Sequence, residues 1–264
     1  MIAEPVRTEI LRRIKAAEAE HGVRVLYAIE SGSRAWGFES PNSDYDVRFI
    51  YAHPKDWYVA VDLEQKRDVI EYPIVDEIDI NGWDVRKALK LFWQSNPTFV
   101  EWLQSPIVYV DDQHFAPTAR ALLTDVYSVE KGIYHYRSMA KTNYRGYLRT
   151  PIVPLKKYFY VLRPLLSILW LEQYQQPAPI VFEQLRTLIT DNTVVNDAIS
   201  DLLERKKRSQ EKEQVPAVLV LNQFIEAELQ RLECYQAKPK AQQMQLKSLN
   251  SLFHAVLASN QVPA

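Results

Sequence analysis

The stretch VRVLYAIESGSRAWGFESPNSDYDVRFIY, residues 23–51, contains the change of pattern that decides the fold. Residues 23–29 are branched and almost wholly apolar, the composition of a strand covered on both faces. Residues 31–43 then collect Gly, Ser, Pro and Asn and read as a loop. From there Tyr45, Val47, Phe49 and Tyr51 alternate with Asp44, Asp46, Arg48 and Ile50, a period of two that predicts a second strand with one polar end. Upstream, Val6, Ile10, Leu11, Ile14 and Ala17 recur at helical spacing and predict a helix over residues 5–20. Downstream, a third strand is predicted over residues 74–80. Asp84 opens a helical run over 85–93, and Asn96-Pro97 supplies an N-cap and a first-turn proline for another helix.

Beyond about residue 115 the strand signals stop. Helices are predicted over 130–149, 154–175, 179–190, 192–212 and 215–237, punctuated by Pro151, Pro154, Pro177, Pro179 and Pro216. The expected layout is α+β, with a sheet domain over residues 1–112 and an all-helical domain over 113–264. A glutamine-rich, weakly helical tail follows Pro239. Hydrophobic residues at 47% and charged residues at 25% exclude a disordered chain or a collagen. A single cysteine, Cys234, excludes an internal disulfide and a Cys-based zinc cluster, and a reducing compartment is expected. The longest strongly apolar run lies within residues 164–171, far short of the roughly 20 a membrane span needs, and no leader is read at the amino terminus. The expectation is a cytoplasmic protein with no membrane partner.

The densest chemical signal is Gly32-Ser33-Arg34-Ala35-Trp36-Gly37, followed by Asp44-Tyr45-Asp46. Residues two apart on a strand share a face, so Asp44 and Asp46 project side by side and repel each other. A solvated edge strand would carry such a pair cheaply, but the opposite parity here is apolar and a buried strand precedes it. Asp79 lies between Ile78 and Ile80 in the third strand. If that strand pairs beside Asp46, three carboxylates meet at one mouth of the sheet, and hard divalent cations are the natural neutralisers. Two Mg²⁺ ions, or Mn²⁺ in their place, are the arrangement that clamps an in-line displacement at phosphorus. Glu77 has the same parity as Asp79, and a slip in register would substitute it. The Gly-Ser turn can bring backbone N–H groups close to a phosphate, although it is neither a Walker A loop nor a dinucleotide fingerprint.

Gly32-Ser33, Asp44-x-Asp46 and Ile78-Asp79-Ile80 together resemble the signature of the DNA polymerase beta-like nucleotidyltransferase superfamily. GSRAWGF, SDYDVRFIY, NGWDVRKAL, NPTFVEWLQSPIVY and LKKYFYVLRP are further similar to bacterial nucleotidyltransferases of the RlaP type, thought to act in RNA repair, over roughly residues 25–175. The resemblance implies a mixed sheet with flanking helices. It also implies that Gly32 and Ser33 hold a triphosphate, that Asp44 and Asp46 bind both metals, and that Asp79 completes the second metal site and helps activate an acceptor hydroxyl.

The net charge of −1 hides an asymmetry. Residues 39–84 carry twelve acids against four bases, whereas residues 131–165 carry eight bases and no acid. Arg137, Lys141, Arg145 and Arg149 repeat every four residues along one helix, where like charges oppose one another unless an anion faces them. Tyr134, Tyr136, Tyr144, Tyr147, Tyr158, Phe159 and Tyr160 interleave with them. Bases stack on aromatics while phosphates pair with Lys and Arg. Arg34, Lys141, Lys156, Lys157, Tyr160 and Arg163 are therefore expected to join Gly32 and Ser33 in holding nucleotide or single-stranded nucleic acid; the competing reading makes the tyrosines core and the bases a counterweight to the acidic half. The five histidines lack metal-ligand spacing, Cys234 reads as a half-buried helix residue, and the run Arg205-Lys206-Lys207-Arg208 reads as a solvated helix face among Glu204, Glu211 and Glu213.

The expected activity is magnesium-dependent transfer of a nucleoside monophosphate from an NTP to an acceptor hydroxyl, first of all an RNA 3′ end. A protein or small-molecule hydroxyl is the rival acceptor, and a catalytically silent nucleotide- or RNA-binding module is the rival class.

Overall fold

The computed structural model describes residues 2–210, 212–236 and 245–259. Five strands form one sheet: β1 (Arg24–Glu30), β2 (Tyr45–Ala52), β3 (Val69–Glu71), β4 (Ile78–Asp84) and β5 (Val108–Asp111), in the order β3-β4-β2-β1-β5. β2 and β4 run parallel and every other neighbouring pair is antiparallel, so the sheet is mixed, as expected. The fold class is α+β.

α1 (Glu4–His21) covers one face, packing Ile10, Ile14 and Ala17 against Val47, Phe49 and Tyr51 of β2 and Ile78 and Ile80 of β4. The other face is covered by helices that follow the sheet in sequence. These are α4 (Val85–Trp93), α5 (Pro97–Leu103) and α6 (Phe115–Ala121), which meet Leu26, Tyr27, Ile29, Ile50 and Ala52. Between them in the chain lie a one-turn α3 (Lys55–Tyr58) and, earlier, α2 (Gly32–Trp36), while α7 (Leu123–Val126) follows α6. The caps read from the sequence are in place: Asp84 accepts from the Arg86 N–H, and the Asn96 side chain accepts from the Phe99 N–H.

The remaining helices build a second core. α8 (Val129–Tyr147) and α9 (Leu155–Tyr174) pack along each other, joined by α10 (Phe182–Arg186), α11 (Thr193–Arg208) and α12 (Leu219–Glu233). A two-stranded ribbon, β6 (Ile152–Pro154) with β7 (Gln214–Pro216), lies among them. The helix predicted over 179–190 is shorter, α10 followed by a 3₁₀ turn at Thr187–Ile189. Cys234 caps α12 and is exposed rather than half-buried.

Two features cut across the division expected after residue 112. Phe115, Ala116, Ala119 and Val126 belong to the core against the sheet, and so do Leu249, Leu252, Val256 and Leu257 of α13 (Gln245–Ser259). We therefore propose a boundary near Tyr127, with α13 returning to the sheet. Of the tail after Pro239, residues 239–244 and 260–264 lie outside the described residues. In the other direction, Ala35, Trp36 and Phe38 leave the sheet and embed in the helical core, Phe38 sitting 4.7 Å from the Phe159 ring and 5.4 Å from Phe182. Burying a phenylalanine contributes roughly 2 to 3 kcal/mol, so the segment after Gly32-Ser33 is anchored in the helices. No helix among the described residues is long and apolar enough to cross a membrane.

Candidate active site

The parallel pairing of β2 with β4 sets Asp46 opposite Asp79 as in-register partners. Equal parity on paired strands means a shared face, so the two carboxylates lie on the sheet face that α4–α6 cover further along. Backbone geometry sets Asp79 and Glu77 apart. Asp76 and Glu77 both adopt positive φ, 53° and 61°, in the tight turn before β4, and Asp76 pairs with Arg13 at 2.8 Å. Only Asp79 lies on the strand beside Asp46. β4 alternates buried and half-buried residues along its length, which leaves Ile78 and Ile80 on the α1 face.

The two acids do not meet directly. Arg48, two residues after Asp46 on the same face, donates from Nη2 to Asp46 Oδ1 at 3.1 Å and to Asp79 Oδ2 at 2.6 Å. Its Nη1 donates to the carbonyl oxygens of Val47 at 2.9 Å and Asp79 at 2.7 Å. Asn81 Nδ2 donates to Asp79 Oδ1 at 2.6 Å. Asp44 precedes β2 and is half-buried, and its carbonyl oxygen accepts from Arg34 Nε at 3.3 Å. Among the described residues no three acidic, histidine or cysteine side chains converge at metal-ligand spacing, and Arg48 stands between Asp46 and Asp79.

The turn that carries Gly32 and Ser33 is wound into the short helix α2 rather than left as a loop. Gly37, at φ 86°, closes it by donating to the carbonyl oxygens of Ser33 and Arg34. Gly32 itself has φ 60°, and a Cβ there would collide with the Asp46 carboxylate. The Ser31 N–H donates to the Asp46 carbonyl at 2.8 Å, tying the turn to the start of β2. Arg34 Nη2 donates to the Ser43 carbonyl at 2.6 Å, and its guanidinium lies 4.0 Å from the Tyr45 ring centre. Arg34 thus braces the loop that delivers Asp44 and Asp46.

Glu30, at the end of β1, was not among the expected site residues. It is wholly buried, accepts the Asp46 N–H on Oε1 at 3.0 Å, and accepts the Tyr109 hydroxyl on Oε2 at 2.6 Å. Burial raises its pKa to about 7, while the hydrogen bonds from Tyr109 and Asp46 pull it back. The available signal was an acid ending an otherwise apolar strand. For Arg48 the signal was parity, a lone base two residues beyond the Asp-x-Asp pair.

The residues expected from the basic segment divide. Trp36 of α2 meets the Tyr160 ring edge-on at 5.5 Å, so the amino-terminal half of α9 lies against the turn. Lys157 Nζ sits 3.9 Å from the Tyr147 ring centre and 4.8 Å from that of Tyr160, and both tyrosines are exposed. Lys156 is half-buried on the same turn of α9. Lys141 reaches Glu233 of α12 at 3.5 Å. Arg163 is a correction: it is 4% exposed, donates to Glu101 Oε1 at 2.6 Å and lies 4.3 Å from the Trp36 ring centre. Its charge is committed to a buried pair that the Tyr136 hydroxyl also joins, so it does not face a ligand. Of the seven interleaved aromatics, Tyr136, Tyr144, Tyr158 and Phe159 are core, and Tyr134, Tyr147 and Tyr160 remain on the surface. The Arg205–Arg208 run also departs from the expected solvated face: Lys206 is buried, with Nζ on Ser40 Oγ at 3.0 Å.

The donor set fits a hard divalent cation. Asp46 and Asp79 offer hard carboxylate oxygens from in-register positions, and the guanidinium between them shows that the pair holds positive charge.

A mixed sheet with this carboxylate pair beside a Gly-Ser turn defines a nucleotidyltransferase fold of the DNA polymerase beta type. The chain belongs to the RNA repair pathway DNA polymerase beta family, RlaP, which matches residues 6–255. It is similar to YcgL of Bacillus subtilis (strain 168), described as uncharacterized, with 43% identity over 249 residues covering 94% of this chain and 95% of that protein. A crystal structure of a nucleotidyltransferase-like protein from Exiguobacterium sibiricum 255-15 is 14% identical and covers 97% of this chain and 82% of that one, with a TM-score of 0.30.

Proposed function

We propose that the protein transfers a nucleoside monophosphate from an NTP to the 3′-hydroxyl of an RNA. The observation that carries this reading is the in-register Asp46–Asp79 pair, whose Asp46 carboxylate lies against the Gly32 backbone. Gly32 and Ser33 receive the triphosphate, with Arg34 holding the turn in place. Asp79 orients the acceptor hydroxyl and receives its proton as the oxygen attacks the α-phosphorus and pyrophosphate departs. Two Mg²⁺ ions, for which Mn²⁺ can substitute, would supply the charge that neutralises the phosphates when held by Asp44, Asp46 and Asp79. Glu30 fixes the Asp46 backbone, so the carboxylate is positioned before substrate arrives.

The acceptor assignment rests on the family and on the surface beside α2. Tyr147, Lys157 and Tyr160 present exposed rings around a cation, and Arg145 and Arg149 extend positive charge along the exposed side of α8 and just past its end. That combination suits a single strand, whose bases stack while its phosphates pair. A cytoplasmic RNA is the acceptor this reading calls for.

The test is transfer of label from α-³²P NTPs with Mg²⁺ by the wild type and by Asp46→Asn. The expected result is labelled acceptor with the wild type and loss of at least a thousandfold in the variant, with an intact fold. Undiminished turnover by Asp46→Asn contradicts the proposal.

A further inference from the structure

The Asp46–Asp79 pair already has a cation, and the chain supplies it. Two carboxylates side by side on adjacent strands repel, and more strongly in a partly buried setting than in water. Arg48 removes that repulsion by placing one nitrogen, Nη2, on both acids, 3.1 Å from Asp46 Oδ1 and 2.6 Å from Asp79 Oδ2. The arrangement is built. The side chain is largely buried, at 18% exposure, and Nη1 is anchored on the Val47 and Asp79 carbonyl oxygens. Asn81 holds the remaining Asp79 oxygen. A divalent ion held by both carboxylates would compete with Nη2 for Asp46 Oδ1 and Asp79 Oδ2, and two positive centres that close repel each other.

We propose that Arg48 is the resident counter-cation of the Asp46–Asp79 pair, that a divalent metal must displace it, and that the displaced guanidinium then pairs with the polyphosphate of the nucleotide. This rests on Asp46 and Asp79 being metal ligands. Metal alone is opposed, because its entry strands a partly buried guanidinium. Metal with nucleotide is favoured, because a phosphate offers the guanidinium the bidentate partner it has lost. The two ligands are therefore positively linked through one side chain. The free protein keeps its carboxylates in place without metal and resists filling the site before the substrate arrives.

Mn²⁺ binding, read by electron paramagnetic resonance with and without a non-hydrolysable α,β-methylene NTP analogue, tests this in the wild type, Arg48→Met and Asp46→Asn. Arg48→Met is expected to bind Mn²⁺ alone at least tenfold more tightly than the wild type and to lose most of the enhancement that the nucleotide gives. Wild-type affinity and enhancement in Arg48→Met, with binding abolished in Asp46→Asn, overturn the competition while leaving the site reading intact. Undiminished binding in Asp46→Asn overturns both. Should Arg48→Met fail to fold, ¹⁵N spectra of arginine guanidinium groups in the wild type decide, the Arg48 signal being assigned by its absence in Arg48→Lys. It is expected to shift and exchange faster as Mg²⁺ and the analogue are added, and an unchanged signal at saturation overturns the proposal.

Discussion

Gly32 answers two demands at once, a φ of 60° and a carboxylate lying where its Cβ would be. Gly32→Ala is expected to cost about 1 to 2 kcal/mol in stability from the left-handed backbone. It is also expected to lose roughly a hundredfold in transfer, because the Asp46 carboxylate must move by about an ångström. Chemical unfolding and NMP transfer measured on the same preparation check both, and full turnover would show that the approach to Asp46 is incidental. At this scale the carboxylates were legible because parity follows directly from strand period. Glu77 and Asp79 stayed indistinguishable in sequence, since they share one parity and only the positive-φ turn at Asp76 and Glu77 separates them. Arg48 was visible as a same-face neighbour, but its bridging role depends on which strand lies alongside, and that is settled by pairing rather than by period.

Among the elements, α9 shows where helical spacing misleads. Lys156, Tyr160 and Arg163 share a face by periodicity, yet Tyr160 is exposed while Arg163 is sealed between Glu101 and Trp36. The helix enters the core along its length, so one stripe carries both a surface and an interior residue. Removing one partner of a buried pair leaves the other charge uncompensated, and Arg163→Met is expected to destabilise the fold by about 3 to 5 kcal/mol. A urea titration checks this, and a cost below about 1 kcal/mol would return Arg163 to the ligand-facing set. Long, strongly periodic helices were legible to within a few residues. β3, β5, β6 and β7 were not, because strands of three or four residues are too short to show an alternation. Their positions follow from partners far away in the chain, as when residues 152–154 find 214–216.

The whole molecule is two packed cores stitched together in both directions. The segment from Ala35 to Phe38 runs from the sheet into the helical core, and α13 returns from the far end of the chain to the sheet. Neither crossing was legible, since a helix at residue 245 carries no mark of which core it serves. The opposed charges of the two halves were legible as composition, but not their pairing: Lys141 is answered by Glu233 of α12 rather than by the acidic segment. What the layout provides is a carboxylate pair on the sheet and an aromatic, basic surface on α8 and α9, joined through Trp36 and Tyr160. These two features serve one proposed reaction, NMP transfer to an RNA 3′ end. It is tested most directly by incubating the wild-type protein with α-³²P NTP, Mg²⁺ and two otherwise identical RNAs, one ending in a 3′-hydroxyl and one blocked at that position. Label is expected on the open RNA alone, declining steeply as salt rises; label on the blocked RNA, on protein or on neither RNA would overturn the assignment.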